Sequence, residues 1–220
     1  ILAPGSAPCV ICVGATGYRT NFVNYLGETM VNDNGSNGVR TPFSSVGPTW
    51  DGRTKPDVMA PGQNINSSYS SFYIDNYSDD GGMLQNDIRH SVYNGRTYAW
   101  NSNGGTSMAA PVVTGVIALW LEADPTLTMQ DCLEIFDKTC HRYDTTLSYP
   151  NNLYGYGEID AYGGLELVLE RKAAGVKTIE TAPVTDNRIY SVDGRYMGTD
   201  VAKLPRGLYI RQGRKFVVRR

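Results

Sequence analysis

Residues 101–114 read NSNGGTSMAAPVVT, and the apolar run VVTGVIALWLE over 112–122 overlaps their end. The run has no polar face, and a helix apolar all round belongs inside a molecule. Its start is fixed locally. Gly104 and Gly105 permit unusual backbone angles. Pro111 lacks an N–H and is tolerated only near a helix start. The spacing predicts a helix from Thr106 to about Glu122, stopped by Asp124-Pro125. Ser107 then sits at the positive end of a buried helix, where unpaired N–H groups favour negative charge. Two readings follow from position alone. Ser107 caps the helix, which stabilises by about 1 kcal/mol, or its hydroxyl attacks a carbonyl whose oxyanion the helix N–H groups stabilise.

The rest of the chain reads outward from this point. CVICVGA (9–15) is apolar on both faces and predicts a buried strand. TPFSSVGPTWDGRTKPDVMAPG (41–62) is broken by Pro and Gly and predicts two short strands around a turn. Residues 63–103 are polar and Tyr-rich and read as a long insertion, with a hairpin around YNGRTYAW. Thr128, with Asp131 three residues on, predicts the start of a second helix. Its stripe is Met129, Leu133, Phe136 and Cys140. YGYGEIDAYGGLELVLE (154–170) predicts a strand or turn and then a last helix.

Charge marks a boundary. Residues 1–175 carry 10 basic and 18 acidic side chains, net −8; residues 176–220 carry 10 and 4, net +6. The expected organisation is a main domain over 1–172, a linker over 173–186 and a small β module over 187–220. In that module RIYSVDGRYMG and GLYIRQGRKFVVR read as two hairpins, with Ile189, Val192, Leu208, Ile210 and Val217 facing inward.

Composition narrows the function. No stretch approaches the ~18 consecutive apolar residues of a membrane span. The basic tail alternates with β-pattern residues and holds no nucleic-acid-binding motif. Two histidines and four cysteines give no metal cluster, and all four cysteines read as packing residues.

GTSMAAP (105–111) resembles the nucleophile motif of the subtilisin-like serine proteases, the subtilases. FSSVGPTWDGRTKPDVMAPG (43–62), CVICVGAT (9–16) and GYGEIDAYGGLE (155–166) are similar to further family blocks and stand in the family's order over roughly residues 4–170. The resemblance implies an α/β fold: part of a subtilisin-like parallel sheet with flanking helices, to which the β appendage is added. It implies a serine endopeptidase working through an acyl-enzyme on protein or peptide substrates. Ser107 is then the nucleophile, with its own N–H and Thr106 at the oxyanion, while Asn103, Gly104 and Gly105 line the leaving-group side. Met108 and the two alanines after it pack beneath it. Val112 stands where the family often has His.

The family's Asp, His and oxyanion-hole Asn fall upstream of CVICVGAT. His90 and His141 lie outside the family's order. The chain is therefore expected to be inert alone, with a missing N-terminal half as its partner. The competing expectation is a non-catalytic binding or scaffold module that keeps the fold. Calcium is common in the family, but no ligand set is identifiable. The segments IYSVDGRYMG and LPRGLYIRQGRKFVVR resemble the end of type IX secretion sorting domains, which implies a secreted or cell-surface protein.

Overall fold

Asp57 sets the central register. Its backbone N–H and that of Val58 donate to the carbonyl of Cys12, and its carboxylate accepts the Cys12 N–H at 2.6 Å. Lys55, also buried, holds the same carboxylate at 2.5 Å and donates to the carbonyl of Val10. From this clamp two strands run in parallel, β1 (Val13–Thr16) and β4 (Val58–Pro61), with Val13 opposite Val58 and Thr16 opposite Pro61. The strand is shorter than CVICVGA predicts. At Cys12 a side-chain carboxylate takes the place of a ladder partner, and Cys9 is exposed instead of packed. Residues 41–57 form no strand, so 41–62 contributes one strand instead of two.

The computed structural model describes residues 1–36, 38–76, 84–175, 187–212 and 214–219. They fall into two compact units, Ile1–Ala174 and Gly175–Arg220.

In the first unit, β2 (Asn21–Val23) and β3 (Thr29–Val31) form a hairpin between β1 and β4 in the chain. After β4 come β5 (Ile65–Tyr69), the short helix α1 (Ser71–Asn76), β6 (Asp87–Tyr93) and β7 (Arg96–Asn103). These strands make an antiparallel sheet in the order β5-β7-β6. The expected hairpin is present, turning at Asn94 and Gly95, both at positive φ, as the twist of a two-residue connection demands. β7 is the middle strand and ends directly in the loop before Ser107.

Helix α2 (Thr106–Ala123) packs on β1 and β4. Helix α3 (Met129–Thr139) begins with a reciprocal capping box between Thr128 and Asp131. Its buried side chains are Cys132, Ile135 and Phe136, with Cys140 just after it. The stripe is thus rotated from the expected one: Met129 and Leu133 are only half-buried. Helix α4 (Ala161–Gly175) runs past the expected linker start at 173; the linker's residues 176–186 lie outside the described set. Trp120 is the hub of the core. It is wholly buried, tilts against Phe136, and donates its indole N–H to the carbonyl of Ala161. Ala15, Val58, Ala60, Ala109, Val113 and Val168 complete that core.

Helix α2 is 18 residues long and, by length and composition only, apolar enough to cross a membrane, although its inner face belongs to the core. The expectation that it is enclosed is corrected: Leu119 and Leu121 are exposed, because among the described residues only one side of the helix is covered.

The second unit is one four-stranded antiparallel sheet in the order β11-β10-β8-β9, from β8 (Ile189–Ser191), β9 (Tyr196–Gly198), β10 (Gly207–Arg211) and β11 (Arg214–Val218). Its core is Ile189, Leu204, Tyr209 and Val218. Of the expected inner set, Ile189 is buried, Ile210 is half-buried, and Val192, Leu208 and Val217 are exposed. Side chains alternate faces, so choosing the wrong phase in β10 and β11 moves a whole set outward. The large Tyr209 ring decides the phase, packing near Phe216 and donating its hydroxyl to the carbonyl of Pro205.

Candidate functional site

The site grows from the C-terminal ends of the parallel pair. Gly62, just after β4, donates its N–H to the carbonyl of Thr16 at the end of β1. Its own carbonyl accepts the N–H of Gly105 at 2.8 Å. A Cβ on Gly62 would lie 2.6 Å from the Cβ of Ala15 and 2.9 Å from the carbonyl oxygen of Gly105, so only glycine lets the loop come this close. Gly105 itself has φ 151°, a conformation strained for any residue with a side chain.

Asn103 closes β7 opposite Ile65, and its Oδ1 accepts the N–H of Gly104 at 2.8 Å. Gly104 is exposed. Thr106 is the first residue of α2 and Ser107 the second. The helix cap is Gly105, with no side-chain cap bond, so Ser107 is not capping the helix. The Ser107 side chain is exposed, and its hydroxyl has no hydrogen-bond partner among the described residues. The first helical N–H bonded back to the loop is that of Met108, to Gly105, which leaves the N–H groups of Thr106 and Ser107 pointing out of the helix end. Ala109, beneath the serine, is wholly buried and packs against the parallel pair; Met108 and Ala110 are half-buried. Val112 packs against the same core.

A depression beside Thr106 is lined by Ile1, Leu2, Gly5, Cys12, Val13 and Ser45. Burial, and then the charge of Asp57, pushes the Cys12 thiol up, so it remains a neutral wall residue at physiological pH. No sequence signal marks this depression, because the residues that form it run from Ile1 to Thr106.

The two histidines are occupied elsewhere. His90 Nε2 lies 2.6 Å from Asp87 Oδ2, and its ring stacks on Tyr25 with centroids 4.1 Å apart. Asp87 is fully buried and also accepts from Asn101 Nδ2. The backbone of Tyr25 donates to the Asp87 carbonyl, so the group fastens the β2–β3 hairpin to the antiparallel sheet. His141 pairs with Glu158 through its backbone and with Asp160 through its ring at 3.6 Å. Neither ring is hydrogen-bonded to Ser107. Among the described residues no group of three or more His, Cys, Asp or Glu side chains gathers as a metal site.

The family model of the subtilases, peptidase S8, matches residues 1–157. The chain belongs to the subtilase family. This subtilase is 33% identical over 162 residues to the serine protease AprX of Bacillus subtilis, covering 73% of this chain and 30% of that protein. It is 30% identical over 224 residues to pyrolysin of Pyrococcus furiosus, covering 95% of this chain and 14% of that protein. Among solved structures it resembles the CspB protease of Clostridium perfringens, with a TM-score of 0.50, 27% identity, and coverage of 77% of this chain and 29% of that one. The subtilase chain described here thus spans less than a third of the length of each of these relatives.

Proposed function

We propose that this chain is the nucleophile-bearing portion of a secreted serine endopeptidase. The observation that carries the proposal is Ser107: an exposed hydroxyl, unpartnered among the described residues, on the second residue of α2, with its own N–H at the positive helix end. A peptide carbonyl placed there meets the hydroxyl as attacking group. The Ser107 N–H, with that of Thr106 beside it, is aimed at the oxygen that gains charge. Asn103, Gly104 and Gly105 border the leaving-group side, and the depression beside Thr106 receives part of the acyl side.

A serine hydroxyl needs an adjacent base to attack at neutral pH, and neither histidine supplies one. The base, its carboxylate partner and a second oxyanion donor come, on this reading, from an N-terminal portion of the catalytic domain outside these 220 residues. The uncovered apolar side of α2, with Leu119 and Leu121 exposed, supports this, since such a surface calls for further protein over it. The relatives AprX and pyrolysin support the activity through their names.

The test is labelling of Ser107 by a fluorophosphonate probe. Labelling is expected when the upstream portion is supplied and hardly at all in this chain alone. Removing one oxyanion donor alone costs about 10²–10³ in rate. Equal labelling of the isolated chain would overturn the divided site, and no labelling in the presence of the upstream portion would return the protein to the non-catalytic module.

Residues 187–220 are proposed as a sorting module for export. Its support is the resemblance of IYSVDGRYMG and LPRGLYIRQGRKFVVR and a small sheet with its own core. Truncation near Val184 is expected to keep peptidase activity and retain the protein inside the cell; normal export of the truncated protein rules the role out.

A further inference from the structure

Arg19 stands out among the half-buried cations of the first unit. Arg53, Arg96, Arg142 and Arg171 each pair with a carboxylate, and Arg40 donates to the carbonyls of Thr41 and Ser44. Arg19 is half-buried, yet among the described residues its guanidinium has no hydrogen bond or ion pair, and its Nε–H is shielded from solvent without an acceptor. The guanidinium lies over the ring of Tyr18, 4.9 Å from the centroid, in a shallow depression that Thr20, Asn21 and Ser36 complete. A buried donor with no acceptor is uncommon and calls for a partner. A planar fork of N–H groups over an aromatic face, walled by hydroxyl and amide side chains, is a receptor for a carboxylate.

The depression is joined to the nucleophile by a short series of bonds. The carbonyl of Arg19 accepts the amide of Asn64 at 2.7 Å. Asn64 is two residues from Gly62, and Gly62 is bonded to both Thr16 and Gly105. The loop that carries Arg19 therefore leaves the same end of β1 that supports Ser107. Its far wall is held in place as well, because Gly17 donates to the carbonyl of Val39 and Gly38 donates to that of Gly17.

We propose that Arg19 receives a carboxylate of the bound peptide, so that the site of Ser107 takes substrates with an acidic residue on one side of the bond to be cut. The proposal rests on the peptidase reading for the identity of the ligand as a peptide. Its test reads binding alone. The 220-residue chain carrying Ser107→Ala is titrated with fluorescein-labelled, C-terminally amidated peptides in which a single Glu is moved through successive positions, against the same peptides with Gln. A third set has no acidic side chain and a free C-terminal carboxylate.

At one position Glu is expected to bind about three- to tenfold more tightly than Gln, the range for a charge-assisted contact that is partly exposed. The preference is expected to shrink as salt rises, to vanish in Arg19→Gln and to survive in reduced form in Arg19→Lys. Preference for the free C-terminus alone would overturn the side-chain proposal and make Arg19 a reader of chain ends. No Glu preference at any position, a preference that persists in Arg19→Gln, or no binding by any peptide would each overturn it too. A Glu preference lost in Arg19→Gln, found in a protein that fails to label at Ser107, would keep the acid-binding site and remove the peptidase.

Discussion

The N–H of Gly105 donates to the carbonyl of Gly62 at 2.8 Å, and this bond ties the loop before Ser107 to the end of the parallel pair. A side chain at position 62 has no room, since its Cβ would meet Ala15, Gly105 and Ala109 all within 3.3 Å. Gly62→Ala is expected to destabilise the first unit by about 1–3 kcal/mol, the usual cost of overpacking. In the completed enzyme it is also expected to lower Ser107 labelling beyond what the stability loss accounts for. Urea unfolding and probe kinetics on the same variant check both, and unchanged labelling would show that the tie does not position the serine.

Ser107→Ala separates a nucleophile from a cap. Among the described residues the hydroxyl has no partner, so stability is expected to change by less than about 0.5 kcal/mol, as for other surface substitutions away from special features. Labelling in the completed enzyme is expected to disappear. A stability loss near the ~1 kcal/mol of a true N-cap would assign the side chain to the helix instead.

Thr128 is such a cap, and its replacement gives the opposite pattern. Its hydroxyl and backbone hold the Asp131 carboxylate, which these bonds keep below its ordinary range. Thr128→Ala is expected to cost about 1 kcal/mol at neutral pH with labelling unchanged. A carboxylate held low stabilises the fold above its unfolded value of about 3.9, and that contribution is lost as pH falls through the lower folded value. The difference between Thr128 and Thr128→Ala should therefore narrow on acidification; a constant difference down to pH 2 would contradict the capping box.

The thiols should divide one against three. Cys9 is exposed, while Cys12, Cys132 and Cys140 are buried. Burial pushes the Cys140 thiol up from 9.0 to about 12. An acid whose folded value is raised favours the folded state only in its neutral form, so stability from Cys140 is expected to fall as pH rises above about 9. Native protein should release one equivalent to a thiol reagent at pH 8, and four after unfolding. Rapid reaction of more than one thiol in the native state would show that the core is open.

His90 belongs to the scaffold. His90→Ala removes one partner of buried Asp87, which keeps the bond from Asn101, and also removes the stacking on Tyr25. The expected result is a lower melting temperature with probe labelling reduced only in proportion to the folded fraction. Abolished labelling in a fully folded variant would instead make His90 part of the chemistry.

Local chemistry was legible in the sequence. Gly105, the small residues after Ser107 and the stop at Asp124 define α2 without help from the rest of the chain. Thr128 and Asp131 define the start of α3, and Asn94-Gly95 defines the hairpin. These signals work because capping and turn geometry involve residues at most a few positions apart. The α/β class and the family were legible too, since their blocks are contiguous words.

What the tertiary structure alone decided involves groups far apart in the chain. Cys12 ends the strand because Asp57, 45 residues away, occupies its N–H. The phase of β10 and β11 depends on where the Tyr209 ring packs, which alternation by itself leaves open. Gly62 matters for the approach of Gly105, Ala15 and Ala109, and Arg19 because its Nε–H meets no acceptor among the described residues. A sequence shows which donors and charges a chain has. Whether each one is satisfied depends on which neighbours folding brings to it.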